Sequence, residues 1–211
     1  MKNMLKDAGI LFLITLISGL LLGLVYQVTK DPIAIQEENA RQAARSEVFQ
    51  DADHFEDSEG FTEEAAQAVL NDGGFAQQSI NEYAAAMDKD GNVMGYVITV
   101  TTHEGYGGDI KFTIGVREDG TLNGMSILSI SETPGLGMKA EEVLKPQFEG
   151  KKADSYVYTK DGASAADEID AITSATITTN AVTNGVNAGL YYFQTELKGG
   201  SGNEYTTRTS L

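Results

Sequence analysis

The chain has 211 residues, no cysteine, and 15 basic against 31 acidic side chains, a net charge of −16 at pH 7. That length suits one domain of ordinary size with a short appendage, and the absence of thiols removes Fe–S clusters, thiolate zinc sites, haem attachment through cysteine, catalytic thiols and disulfides. So acidic a chain also lacks the basic face that nucleic acid requires, whereas 41% hydrophobic residues supply enough apolar material for a real core.

Residues 8–29 are 22 consecutive uncharged positions, nearly all Ile, Leu, Val, Phe, Gly, Ser and Thr from 10 to 25. At about 1.5 Å per residue they span roughly the 30 Å of a bilayer core, so residues 1–30 are expected to form a membrane anchor. A cleaved signal peptide is the competing reading, but no small-x-small site follows the apolar run. Lys2 and Lys6 stand at one end and Lys30, Arg41 and Arg45 at the other, so the basic residues do not decide orientation. Beyond residue 30 the chain keeps 12 basic and 30 acidic side chains.

Pro32 stands at a plausible helix start, and Ala40, Ala44 and Val48 recur as one apolar face, which predicts a helix leaving the membrane. Residues 50–81 are acidic and punctuated by Gly and Asn, with one short helix predicted over 62–70. The period then changes. Segments 82–87 and 93–102 flank Asp88-Lys89-Asp90-Gly91-Asn92, and 110–116 and 122–130 flank Arg117-Glu118-Asp119-Gly120-Thr121, the pattern of two hairpins with Asp-Gly turns. Val182, Val186, Gly189, Leu190 and Phe193 predict a final helix. The expected organisation is an α+β fold: the anchor, a membrane-proximal helical and acidic segment over 31–81, a domain over 82–197 with a mainly antiparallel sheet and flanking helices, and a flexible tail over 198–211.

Several motifs carry no chemistry. Asp88–Asn92 has its glycine fourth, whereas a calcium loop needs it sixth. His54 and His103 lie 49 residues apart without metal-site spacing, and no metal or catalytic side chain is expected. Gly105-Tyr106-Gly107-Gly108 lacks dinucleotide-fingerprint spacing, although its glycines allow a bend or a close backbone approach, which can also admit a flat ligand.

Two segments do carry information. Ser131-Glu132-Thr133-Pro134-Gly135-Leu136-Gly137 is a rigid loop whose backbone can lie close to something. Asp170-Ala171-Ile172-Thr173-Ser174-Ala175-Thr176-Ile177-Thr178-Thr179-Asn180 crowds more hydroxyls ahead of a helix than capping needs.

Together these segments resemble the FMN-binding domain of respiratory complexes that link ferredoxin or NADH to ion transport, most nearly the family of the G subunit of Rnf complexes. The C subunit of the sodium-pumping NADH:quinone oxidoreductase is its relative and the alternative reading. The family's Asp-x-x-Ser/Thr-Gly-Ala-Thr motif matches residues 170–176, its Glu-Thr-Pro-Gly-Leu-Gly loop matches Glu132–Gly137 and its Gly-Tyr-Gly-Gly matches Gly105–Gly108, and the resemblance implies a phosphoester from Thr176 to FMN, installed by a flavin transferase. It further implies Asp170, Thr173, Ser174, Ala175 and Thr179 around the phosphate and ribityl chain, and Glu132, Thr133, Gly135, Leu136 and Gly137 as a loop over the isoalloxazine. Tyr106, Tyr156 and Tyr158 are candidates to line the site. Ser174 departs from the family's usual glycine, and Ile130 stands where many relatives have His.

The implied protein is an electron-carrying subunit with no independent catalysis, working beside other membrane, Fe–S and flavin subunits. The implied place is the inner cell membrane, with a cytoplasmic N-terminus and an extracytoplasmic FMN domain. No Lys or Arg occurs from Asp161 through Leu197, so the expected phosphate partner is a helix N-terminus rather than a cation. From a different class, a membrane-anchored binding or sensory domain would explain everything but the threonine-rich motif, and it would be colourless.

Overall fold

The computed structural model describes residues 2–198, and its contacts divide the chain into two compact units, Met1–Gln42 and Ala43–Leu211. The first unit is the greater part of helix α1 (Lys2–Val48). This helix contains a window of mean hydropathy 2.6 and is the one element among the described residues long and apolar enough to cross a membrane. Its large apolar side chains, including Leu11, Phe12, Leu20, Leu22 and Leu24, are exposed, as a lipid-facing surface would be.

Pro32 lies inside α1 rather than at the start of a new helix. Proline cannot donate to the carbonyl four residues back. The helix nevertheless continues, because Ala34, Gln36, Glu37, Glu38 and Ala40 beyond it are good helix formers and propagate the turn.

The second unit is built on a five-stranded antiparallel meander, β1 (His54–Asp57), β2 (Gln78–Met87), β3 (Val93–Thr102), β4 (Ile110–Arg117) and β5 (Leu122–Ser129), in that spatial order. Both expected hairpins form, with Gly91 and Gly120 at positive φ in their turns. Helix α2 (Glu63–Asp72) begins where the sequence indicates, with the Thr62 hydroxyl accepting from the Ala65 amide at 3.3 Å. The expected boundary at residue 82 has no counterpart in the packing. His54 pairs with Met87 across β1 and β2, and Ala66 and Leu70 of α2 are buried in the same core as the sheet.

After the sheet come a 3-10 turn (Gly137–Lys139), two one-turn helices, α3 (Ala140–Val143) and α4 (Lys145–Phe148), and a short parallel pair, β6 (Val157–Thr159) with β7 (Glu168–Asp170). Helix α5 (Thr176–Tyr192) follows and runs into a π-helical turn, Phe193–Leu197. Apart from Lys198, the expected tail lies outside the described residues.

Both faces of the sheet are covered. On one face α5 lies so close that a Cβ on Gly185 would stand 2.7 Å from Cζ of Phe112, and one on Gly189 2.6 Å from Cδ1 of Ile114. Glycine at these positions sets the helix-to-sheet distance, and with it the position of the α5 N-terminus. On the other face Val48 and Phe49 pack with Ala86 and Val97, in space left open by Gly95 and Gly115. Polar ties hold this end of α1. Buried Arg45 reaches Asp57 at 2.6 Å and Glu82 at 3.6 Å, and Glu47 receives hydrogen bonds from Ser126 and Lys145.

Candidate functional site

The threonine-rich segment becomes a tight turn feeding α5. Ser174 has φ +62°, the one non-glycine residue at positive φ among those described, and this is the position where the family motif carries glycine. The turn is closed from beneath by Thr179, fully buried, whose hydroxyl accepts from the Ile172 amide at 3.1 Å and donates to the Ala175 carbonyl at 3.0 Å. Ala175 occupies the cap position and offers no side-chain acceptor. The amides of Thr176, Ile177 and Thr178 therefore keep the free donors of an uncapped helix start, with the partial positive charge of the helix dipole.

Glu132 faces this helix start. Its side chain is 7% exposed. Oε1 accepts from the Gly107 amide at 3.1 Å, and Oε2 accepts from the Thr178 hydroxyl at 3.0 Å. One carboxylate thus ties together the glycine loop between β3 and β4, its own loop after β5, and the first turn of α5. The closeness depends on glycine: a Cβ on Gly137 would meet Oγ1 of Thr178 at 2.5 Å and Oε2 of Glu132 at 2.7 Å, and one on Gly107 would meet the Ser131 carbonyl oxygen at 2.0 Å.

Between these three walls lies a cavity of about 520 Å³ lined by Tyr106, Glu132, Thr133, Leu136, Gly137, Ser174, Ala175, Thr176, Ile177 and Thr178. Its mouth is apolar, with Tyr106 at 70% and Ile177 at 53% exposure beside exposed Leu136. The volume lies within the 300–1,000 Å³ typical of cofactor sites.

Eight expected site residues meet here: Tyr106, Glu132, Thr133, Leu136, Gly137, Ser174, Ala175 and Thr176. Four do not line the cavity. Thr173 is exposed, Thr179 lies beneath the turn, and Gly135, at φ +78°, shapes its loop from outside. Asp170 instead organises the neighbouring loop, its carboxylate accepting from the Ala163 amide while its backbone N–H and carbonyl bond the side-chain amide of Gln147. Tyr156 is core, edge-on to Phe148 at 5.3 Å, with its phenol pushed up to about 12 by burial. Tyr158 is half-buried against the same core. His103 pairs with Asp109 at 2.8 Å and His54 with Asp53 at 3.2 Å.

The sequence expectation omitted Ile177 and Thr178, which line the wall. Thr178 could have been found as the third residue of the helix, a position whose side chain turns back toward the cap.

The cavity fits a flavin mononucleotide. It has free helix-start amides for a phosphate, no competing capping side chain, a wall without a side chain at Gly137, and a half-buried hydroxyl on Thr176 at its edge.

Comparison with known proteins points the same way. Residues 105–191 match the FMN-binding domain family, and residues 1–48 match the RnfG N-terminal region. The G subunit of the Na(+)-translocating ferredoxin:NAD(+) oxidoreductase complex of Acetobacterium woodii is 32% identical over 92% of this chain and 93% of its own length. The corresponding G subunit of a proton-translocating complex from Clostridium ljungdahlii is 34% identical over 86% of this chain and 90% of its own. Among solved structures, NqrC of Shewanella oneidensis overlaps 54% of this chain and 58% of its own at 22% identity and a TM-score of 0.45. On the sequence relatives alone, which it matches nearly end to end, the chain belongs to the RnfG family, the G subunits of ion-translocating ferredoxin:NAD(+) oxidoreductase complexes.

Proposed function

We propose that the chain is a membrane-anchored flavoprotein subunit that carries FMN as an electron relay in an ion-translocating ferredoxin:NAD(+) oxidoreductase complex. The observation that carries this reading is the cavity itself, which gathers the loop 132–137, the glycine loop and the helix start that the family's motifs mark. FMN, once bound, supplies the electron-carrying chemistry, and the chain supplies binding, orientation and electrostatics rather than catalysis of its own.

Thr176 is the attachment point, through a phosphoester from its hydroxyl to the FMN phosphate. The amides at the start of α5 would hold the phosphate, so no basic side chain is required. Thr133 and Leu136 would form the loop side of the ring site, and Tyr106, Leu136 and Ile177 its apolar mouth. A flavin transferase would install the group, and it would act on the far side of the inner membrane. This orientation puts Met1 in the cytoplasm and the second unit outside it.

Replacing Thr176 with Val deletes the ester oxygen while keeping branching and size. The full-length variant should fold like the parent, yet give no flavin fluorescence on a denaturing gel, where the parent gives a fluorescent band. FMN found by mass spectrometry on Thr178 or Thr179 would place the attachment elsewhere.

A further inference from the structure

Among the described residues, Glu132 is the one acidic side chain lining the cavity, and no basic side chain lines it. A carboxylate so little exposed is normally paired, yet both of its partners here, the Gly107 amide and the Thr178 hydroxyl, are neutral donors. Both contacts are ones that a carboxylate can accept. Tying the walls together does not by itself require charge. A glutamine of the same shape could accept from Gly107 through its oxygen and donate to the Thr178 hydroxyl through its amide.

Resting on the flavin reading above, we infer that Glu132 is a positioning residue that also acts through its charge, which is fixed in the cavity wall and holds the reduction potential of the bound flavin low. Electrons entering the cavity bring negative charge with them, and a like charge nearby opposes it. The two neutral hydrogen bonds hold the carboxylate in place without cancelling its charge. The start of α5 favours negative charge, and Glu132 stands against that same first turn, so the helix retains the anionic group while the fixed carboxylate beside it disfavours adding electrons.

The test is a redox titration of the full-length, detergent-solubilised chain carrying its flavin, followed by absorbance. Glu132→Gln keeps the shape and removes the charge, so the midpoint potential should rise while the flavin band and the fluorescent gel band persist. Glu132→Asp keeps the charge and should stay close to the parent. Equal shifts in the two variants would make Glu132 a wall support only, and an unchanged potential in Glu132→Gln would overturn the inference outright. If Glu132→Gln does not fold, Ile177→Lys brings a cation to the exposed rim without touching the three-way tie; it too must raise the potential, and no rise there would count against the inference. Absence of flavin from the parent protein would instead refute the cofactor reading, which separates the two failures.

Discussion

At φ +62°, Ser174 holds a conformation that glycine adopts freely and other residues adopt at a cost of about 1–2 kcal/mol. The strain sits next to the proposed attachment residue, and Thr179 locks it from below through two hydrogen bonds. Ser174→Gly should relieve the strain but add freedom to the unfolded chain, for a net gain of about 0.5 kcal/mol. Ser174→Val should lose about 1–3 kcal/mol, because a branched side chain resists this φ. Urea midpoints of the three proteins give the order directly, and a Val variant as stable as the parent would show that the turn is not held as described. The position was legible beforehand, since the sequence departs from a glycine there. The part played by Glu132 was not. Its partners lie 25 and 46 residues away, and nothing local marks a loop glutamate as the tie between three walls.

The elements legible in the sequence were those whose period and punctuation agree. The two Asp-Gly hairpins and α5 fall in this group, and so does α2, marked by Thr62 before an acidic first turn. Strand β1 has four residues, and β6 and β7 three each, too few for a two-residue alternation to show; tertiary pairing creates them. The last turn of α1 was legible as helix but not as part of the sheet's cover. Its tie can be tested through Glu47. Partial burial pushes that carboxyl up, but hydrogen bonds from Lys145 and Ser126 and the charge of Lys145 outweigh this and hold it below its ordinary 4.5. The contribution to stability is therefore complete above that value and is lost as pH falls through the lower folded one. Glu47→Gln should accordingly be less stable than the parent from pH 7 down to about pH 5. The gap should narrow below pH 4.5. A gap independent of pH in urea titrations from pH 7 to pH 3 would show that the carboxylate's charge does not matter there.

For the whole molecule, the span was the plainest feature of the sequence and the orientation the least plain, because basic residues flank both ends of the apolar run. The chain has no thiol of its own, so one introduced in the exposed hairpin turn by Lys89→Cys reports its side of the membrane unambiguously. An impermeant maleimide should label it in intact cells once any outer membrane has been opened. Labelling that waits for rupture of the inner membrane would reverse the proposed orientation.

The meander order of the sheet also has a kinetic consequence. Each strand pairs with its neighbour in sequence, so the hairpins close short loops and can form as the chain emerges from its N-terminus. The cavity cannot. It needs residues 105–108, 132–137 and 174–178 together, and α5, the last α-helix among the described residues, brings the final wall. Its completion is thus a late folding event, and a modification of Thr176 that depends on these walls would mark only chains that have finished folding.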